Sequence, residues 1–218
     1  MAGVFPKSKW GRLRFAVILA VLAGILTWLL FIPGVRYLRY APEEGDVVFQ
    51  SLPHMDLVDT IEGVTGSPYS HCGVVIRENG EWLVAESIGE VRKTPLFGWI
   101  RRGRGCGRFA AYRLRAEHRG SIPRFIEALE PFMGRPYDTR YEMDDDTLYC
   151  SELVYKAWKN ATGRELGVLR KLGDMNWQPW EETLRKYEDG EPPLQRWMIT
   201  PRDLSEAPEL EKVFGGDF

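Results

Sequence analysis

Tyr69–Ile88 reads YSHCGVVIRENGEWLVAESI, two β-type runs (His71–Ile76 and Trp82–Ser87) joined through Glu78-Asn79-Gly80-Glu81. A two-residue Asn-Gly connection is a strong short-range hairpin signal, because both residues tolerate the positive φ of a tight turn. With Asn79 and Gly80 as the loop, residues whose numbers sum to 159 oppose each other, so Glu86 faces Gly73. Side chains alternate along a strand. His71, Gly73 and Val75 therefore share one face, Cys72, Val74 and Ile76 the other, and Glu86 is the diagonal neighbour of His71. Gly73 has no side chain to come between them. A carboxylate so placed fixes the tautomer of an imidazole and supports an imidazolium, the orienting role in a nucleophile–histidine–acid triad. The bland alternative is an ion pair on a solvated sheet face.

Such a triad needs a nucleophile, and the chain offers Cys72, Cys106 and Cys150. Strand alternation points Cys72 away from His71, and Cys106 lies in the Arg/Gly stretch Trp99–Arg108 with no predicted helix to hold it. Cys150 opens an amphipathic helix over Cys150–Thr162, with Leu153, Val154, Ala157, Trp158 and Ala161 on one face and Gly163 as its stop. A thiol in a first helical turn faces unpaired N–H groups and the positive end of the helix dipole, which favour thiolate. Asp144, Asp145 and Asp146 just upstream oppose that shift, and the competing reading is a small buried apolar residue. Glu152 lies roughly 200° around the helix from Cys150 and so does not orient the same imidazole. It either contacts a substrate amine or pairs with Lys156 at i+4. Tyr149 is a second candidate substrate contact. The uneven cysteine spacing gives neither a disulfide framework nor a zinc site, and no metal or cofactor is expected.

Short β-type runs (Val47–Gln50, His71–Ile76, Trp82–Ser87, Ala110–Leu114) come first and helices (Ile122–Met133, Cys150–Thr162) largely later, which predicts an α+β fold. Arg101, Arg102, Arg104 and Arg108 among glycines read as a solvated loop or as a patch for anionic headgroups or polymer. Outside Met1–Pro42 the chain carries 23 Lys+Arg against 31 Asp+Glu, so its body is acidic and nucleic-acid binding is not expected.

Phe15–Ile32 is 18 residues without a charge, roughly 27 Å as a helix and close to a bilayer core. It is longer than a signal-peptide core, and bulky Trp28-Leu29-Leu30-Phe31-Ile32-Pro33 follows where a small-x-small cleavage site would lie. Lys7, Lys9, Arg12 and Arg14 precede it and only Arg36 and Arg39 follow. The positive-inside bias puts the N-terminus in the cytoplasm. The expected organisation is a cytoplasmic segment over 1–14, a single-pass inner-membrane anchor over 15–32, a linker over 33–44, a periplasmic core over 45–163 and a C-terminal appendage over 164–218.

The blocks Gly45–Gln50, Tyr69–Ile76, Val84–Glu86, Gly134–Asp138 and Tyr149–Val154, in this order, resemble the permuted papain-like NlpC/P60 cysteine hydrolases of the YiiX/YaeF type. The resemblance implies a papain-like antiparallel sheet packed against helices, with Cys150 as nucleophile, His71 as general base and Glu86 as third member. Cys72 stands where an apolar residue is expected and, facing away, should leave the site undisturbed. The function implied is cleavage of an amide bond, in a peptidoglycan-type peptide or another amide-linked substrate, through a Cys150 acyl-enzyme. Ester or thioester acyl transfer on lipid and a non-catalytic envelope binding module are the alternatives.

Overall fold

Asn79 and Gly80 both adopt positive φ, 49° and 86°, as a type I′ hairpin turn requires. The register that follows pairs Val74 with Ala85, Ile76 with Leu83 and Glu78 with Glu81, as the sequence predicts. This hairpin is the middle of the computed structural model, which describes residues 9–215; residues 1–8, with Lys7 of the basic segment, lie outside them. In chain order the elements are α1 (Lys9–Arg39), β1 (Val47–Gln50), α2 (Asp56–Thr65), β2 (His71–Glu78), β3 (Glu81–Ile88), β4 (Glu90–Pro95), α3 (Leu96–Arg102) and a single turn α4 (Arg104–Gly107). Then come β5 (Phe109–Leu114), α5 (Ile122–Glu127), α6 (Cys150–Thr162), β6 (Arg170–Lys171), α7 (Glu181–Glu188), β7 (Trp197–Met198), α8 (Pro201–Ser205) and β8 (Leu210–Phe214).

Six strands form one sheet in the order β4-β3-β2-β1-β5-β8, every pairing antiparallel. The fold is thus α+β, with helices on both faces of the sheet. Val47, Phe49, Cys72, Val74 and Ile76 face α5 and α6, meeting Phe125, Leu153, Val154 and Trp158. Val48, Val75, Val84 and Ala111 face Leu96, Trp99 and Ile100 of α3, together with Tyr40. Being covered on both sides, β1 is buried at every position. The C-terminal segment, which carries no readable motif, supplies the edge strand β8.

The helix Cys150–Thr162 has the predicted bounds, and Gly163 closes it at φ 72° with its N–H donating to Lys159 O at 2.7 Å. The helix expected over Ile122–Met133 is corrected: α5 stops at Glu127 and a 3-10 turn follows over Glu130–Phe132. Pro131 has no N–H for an i−4 carbonyl, so the α-helical ladder cannot run through it. Pro33 and Gly34 do not end α1. It continues to Arg39 and packs on the body: Tyr37 meets Phe97 edge-on, and Tyr40 packs against Phe109 while donating to Asp46 Oδ2 at 2.6 Å. The Arg/Gly stretch is also not a solvated loop throughout, because Trp99 and Ile100 are fully buried inside α3. Arg104 pairs with Glu62 and Asp59 of α2.

Candidate active site

Two pieces of local structure meet at the start of β2. The hairpin sets His71 and Glu86 on one face, and Gly73 lies between them with no room to spare: a Cβ there would come within 2.7 Å of Ala85 O and 3.3 Å of Glu86 Cβ. His71 Nε2–H donates to Glu86 Oε2 at 2.6 Å, and the pair is buried, 2 % and 0 % exposed. That excludes the solvated-face reading. The second piece is the start of α6, where Cys150, 3 % exposed, forms a hydrogen bond with His71.

Burial would lower the His71 pKa, but its hydrogen bonds to Cys150 and Glu86, with the negative charge on both, raise it to about 9. Burial works the other way on Glu86, and its bonds to His71 and Arg102 prevail and hold it at about 2. The Cys150 thiol lies well below its ordinary value. A hydrogen bond from Cys72 is the largest cause, burial opposes it, and the bond to His71 adds to it. These directions describe a thiolate–imidazolium pair with an ionised carboxylate behind it.

The expectation that Cys72 leaves the site undisturbed is corrected. Alternation does separate the Cys72 and His71 side chains, but α6 packs on the Cys72 face of the sheet. Cys72 therefore meets Cys150 directly, and burial and the neighbouring thiolate push its own pKa well up, keeping it a neutral donor. His71 is the first residue of β2 and interacts with Cys150 as well. Glu152 and Tyr149, the candidate substrate contacts, are both fully buried. Glu152 accepts the Tyr149 N–H at 3.3 Å and lies 2.8 Å from Lys156 Nζ, the i+4 pairing. Burial first, opposed by Lys156, leaves its pKa raised to about 8. The Tyr149 hydroxyl donates to Met143 Sδ and accepts the Ile199 N–H at 3.0 Å. Both residues fix the helix end that carries Cys150.

The sequence reading did not single out the groups that hold Glu86. Arg102 ion-pairs with Oε2 and the Thr94 hydroxyl donates to Oε1 at 2.6 Å. Arg102 was hidden in an arginine run whose composition suggested solvent. Gln50, paired with His71 across β1 and β2, is also buried there, and neither of its amide atoms has a hydrogen-bond partner among the described residues. On the other side of Cys150 opens a small cleft with Leu57, Ile61, Val64, Leu172, Met175 and Met198 in its walls.

A sheet that presents histidine and carboxylate, followed later in the chain by the helix bearing the thiol, has the order of a permuted papain-like enzyme. The chain belongs to the family described as permuted papain-like amidase enzymes, YaeF/YiiX, C92, which matches residues 41–214. It is by that membership a papain-like cysteine amidase or peptidase, a hydrolase. Among its relatives, the uncharacterised protein YiiX of Escherichia coli K12 is 29 % identical over 195 residues, 87 % of this chain and 93 % of that protein. The crystal structure of YiiX from Escherichia coli O157:H7, described as a metalloprotein, superposes with a TM-score of 0.75 at 28 % identity, covering 81 % of this chain and 99 % of that one.

Proposed function

We propose that the protein is a membrane-anchored cysteine hydrolase that cleaves an amide bond through a Cys150 acyl-enzyme. The observation that carries this reading is the buried His71, bonded on one side to Glu86 and on the other to a thiol in the first turn of α6. The Cys150 thiolate attacks the amide carbonyl carbon, and N–H groups at the start of α6 stabilise the oxyanion. The His71 imidazolium gives its proton to the departing amine, leaving a thioester on Cys150. Neutral His71 then takes a proton from the attacking water, and hydrolysis releases the acid and restores the pair. Glu86, ionised by Arg102 and His71, keeps Nε2–H in place throughout. The substrate class is a peptidoglycan-type peptide or another amide-linked compound, and α1 anchors the enzyme in the inner membrane with the body on the periplasmic side. α1 is long and apolar enough to cross a membrane, and in the sequence four basic residues precede its apolar run against two after it.

A second reading, acyl transfer on a lipid ester or thioester, draws on the apolar walls of the cleft beside Cys150. The metal named for the Escherichia coli O157:H7 relative finds no counterpart here: among the described residues no group of three or more His, Cys, Asp or Glu side chains suits a metal ion. The test is turnover by the full chain on peptide amides and on phospholipids, with Cys150→Ala and Cys106→Ala beside the wild type. Amide cleavage lost in Cys150→Ala and kept in Cys106→Ala supports the proposal. Release or transfer of acyl chains from phospholipid alone selects the second reading, and activity that survives Cys150→Ala refutes both.

A further inference from the structure

The contacts of α1 fix how deep the body sits. Trp28 lies four residues before Ile32, the last residue of the apolar run, hence about 6 Å inside its end. Helical side chains lean toward the N-terminus, so its indole lies no shallower. The Trp28 Nε1–H donates to Cys106 Sγ at 3.0 Å. The α4 turn is thus held at the depth where an interfacial tryptophan resides. Backbone carbonyls at that depth need partners, and Arg36 supplies them, donating Nη1 to Gly105 O at 2.9 Å and Cys106 O at 2.7 Å.

Around this turn the surface changes character. Phe97 and Arg101 sit at i and i+4 of α3, on one helix face, and both are exposed, and Arg108 is exposed at the other end of the turn. The rest of the body carries a net negative charge. Cations and apolar side chains gathered at the level where a membrane helix leaves the bilayer match an anionic lipid surface.

We propose that the α3–α4 face docks the body onto anionic phospholipid, with Arg101, Arg108 and Phe97 in the headgroup layer. This rests on the reading of α1 as a membrane anchor. The docked body is held against the bilayer and does not swing on a tether.

The test uses the full chain reconstituted in vesicles of phosphatidylcholine alone or mixed with phosphatidylglycerol. Flotation reports whether α1 is inserted. Alkylation of a Gly98→Cys chain by a charged, bilayer-impermeant maleimide, mapped by mass spectrometry, reports docking, because a side chain at position 98 of α3 meets nothing within 4 Å. The expected result is labelling at position 98 slower by about thirtyfold in the phosphatidylglycerol vesicles, the factor for two arginines at an anionic surface. High salt, or Arg101→Gln with Arg108→Gln, should remove most of that protection. Equal labelling in both lipids, or protection that survives the double substitution, overturns the docking proposal while flotation leaves the anchor standing. A chain that fails to float in either lipid overturns the anchor reading, and the docking with it.

Discussion

Replacing Gly73 by alanine should damage both the sheet and the chemistry, because this glycine is where the hairpin lets histidine and carboxylate meet. The added Cβ would lie 2.7 Å from Ala85 O and 2.5 Å from Val84 Cγ1. A carbon–oxygen contact relaxes at about 3.3 Å or more, so β2 and β3 must part by about 0.6 Å at this rung. The obstructing oxygen belongs to the backbone and cannot swing aside. Overpacking of this kind costs about 1–3 kcal/mol. The same displacement stretches the His71–Glu86 bond from 2.6 Å, and weakening a buried charge-assisted bond forfeits part of about 1.5–3 kcal/mol more. The total is about 2–5 kcal/mol. Urea unfolding of the full chain in detergent measures the loss. Thiol alkylation against pH measures the accompanying rise in the Cys150 pKa. Wild-type stability with an unchanged alkylation profile would refute the proposed crowding at the triad.

Further outcomes follow from the groups around Cys150. Cys72→Ala removes the main donor to the thiolate and should raise the Cys150 pKa, whereas Cys72→Ser keeps a donor and should stay near the wild type; alkylation profiles read both. The alkaline limb of kcat/KM should fall near pH 9, where His71 loses its proton. Glu86→Gln should move that limb to lower pH, because the lost carboxylate no longer supports the imidazolium. Glu152 has a folded pKa of about 8 against an ordinary 4.5. Its contribution to stability is complete below pH 4.5 and is lost as pH rises through about 8. Glu152→Gln should therefore equal the wild type at pH 4 and exceed it by a few kcal/mol at pH 9, as thermal unfolding at the two pH values would show.

What could be read in the sequence was local. The Asn79-Gly80 turn dictates a register, and the register alone brings Glu86 beside His71. The apolar spacing from Leu153 to Ala161, with Gly163 after it, sets a helix and places Cys150 at its start. Tertiary choices were not legible. Alternation along β2 says that Cys72 and His71 diverge, but not which face α6 will cover, and that face makes Cys72 a partner of the thiolate. Arg102 looked like its neighbours in a cationic run until α3 aimed it at a buried carboxylate. Glu152 followed the plainer of its two readings, the Lys156 pair. Met198, which helps wall the cleft, comes from a segment with no motif, and only its packing reveals it.

The alkylation rate of Cys150 in the full chain, followed against pH by mass spectrometry and compared with His71→Ala, tests the central claim without any substrate. The expected result is fast labelling of Cys150 well below pH 8.5, the value of an ordinary thiol, and loss of that advantage in His71→Ala. Labelling that follows an ordinary thiol, or a profile that His71→Ala leaves unchanged, would contradict an assembled Cys150–His71–Glu86 nucleophile.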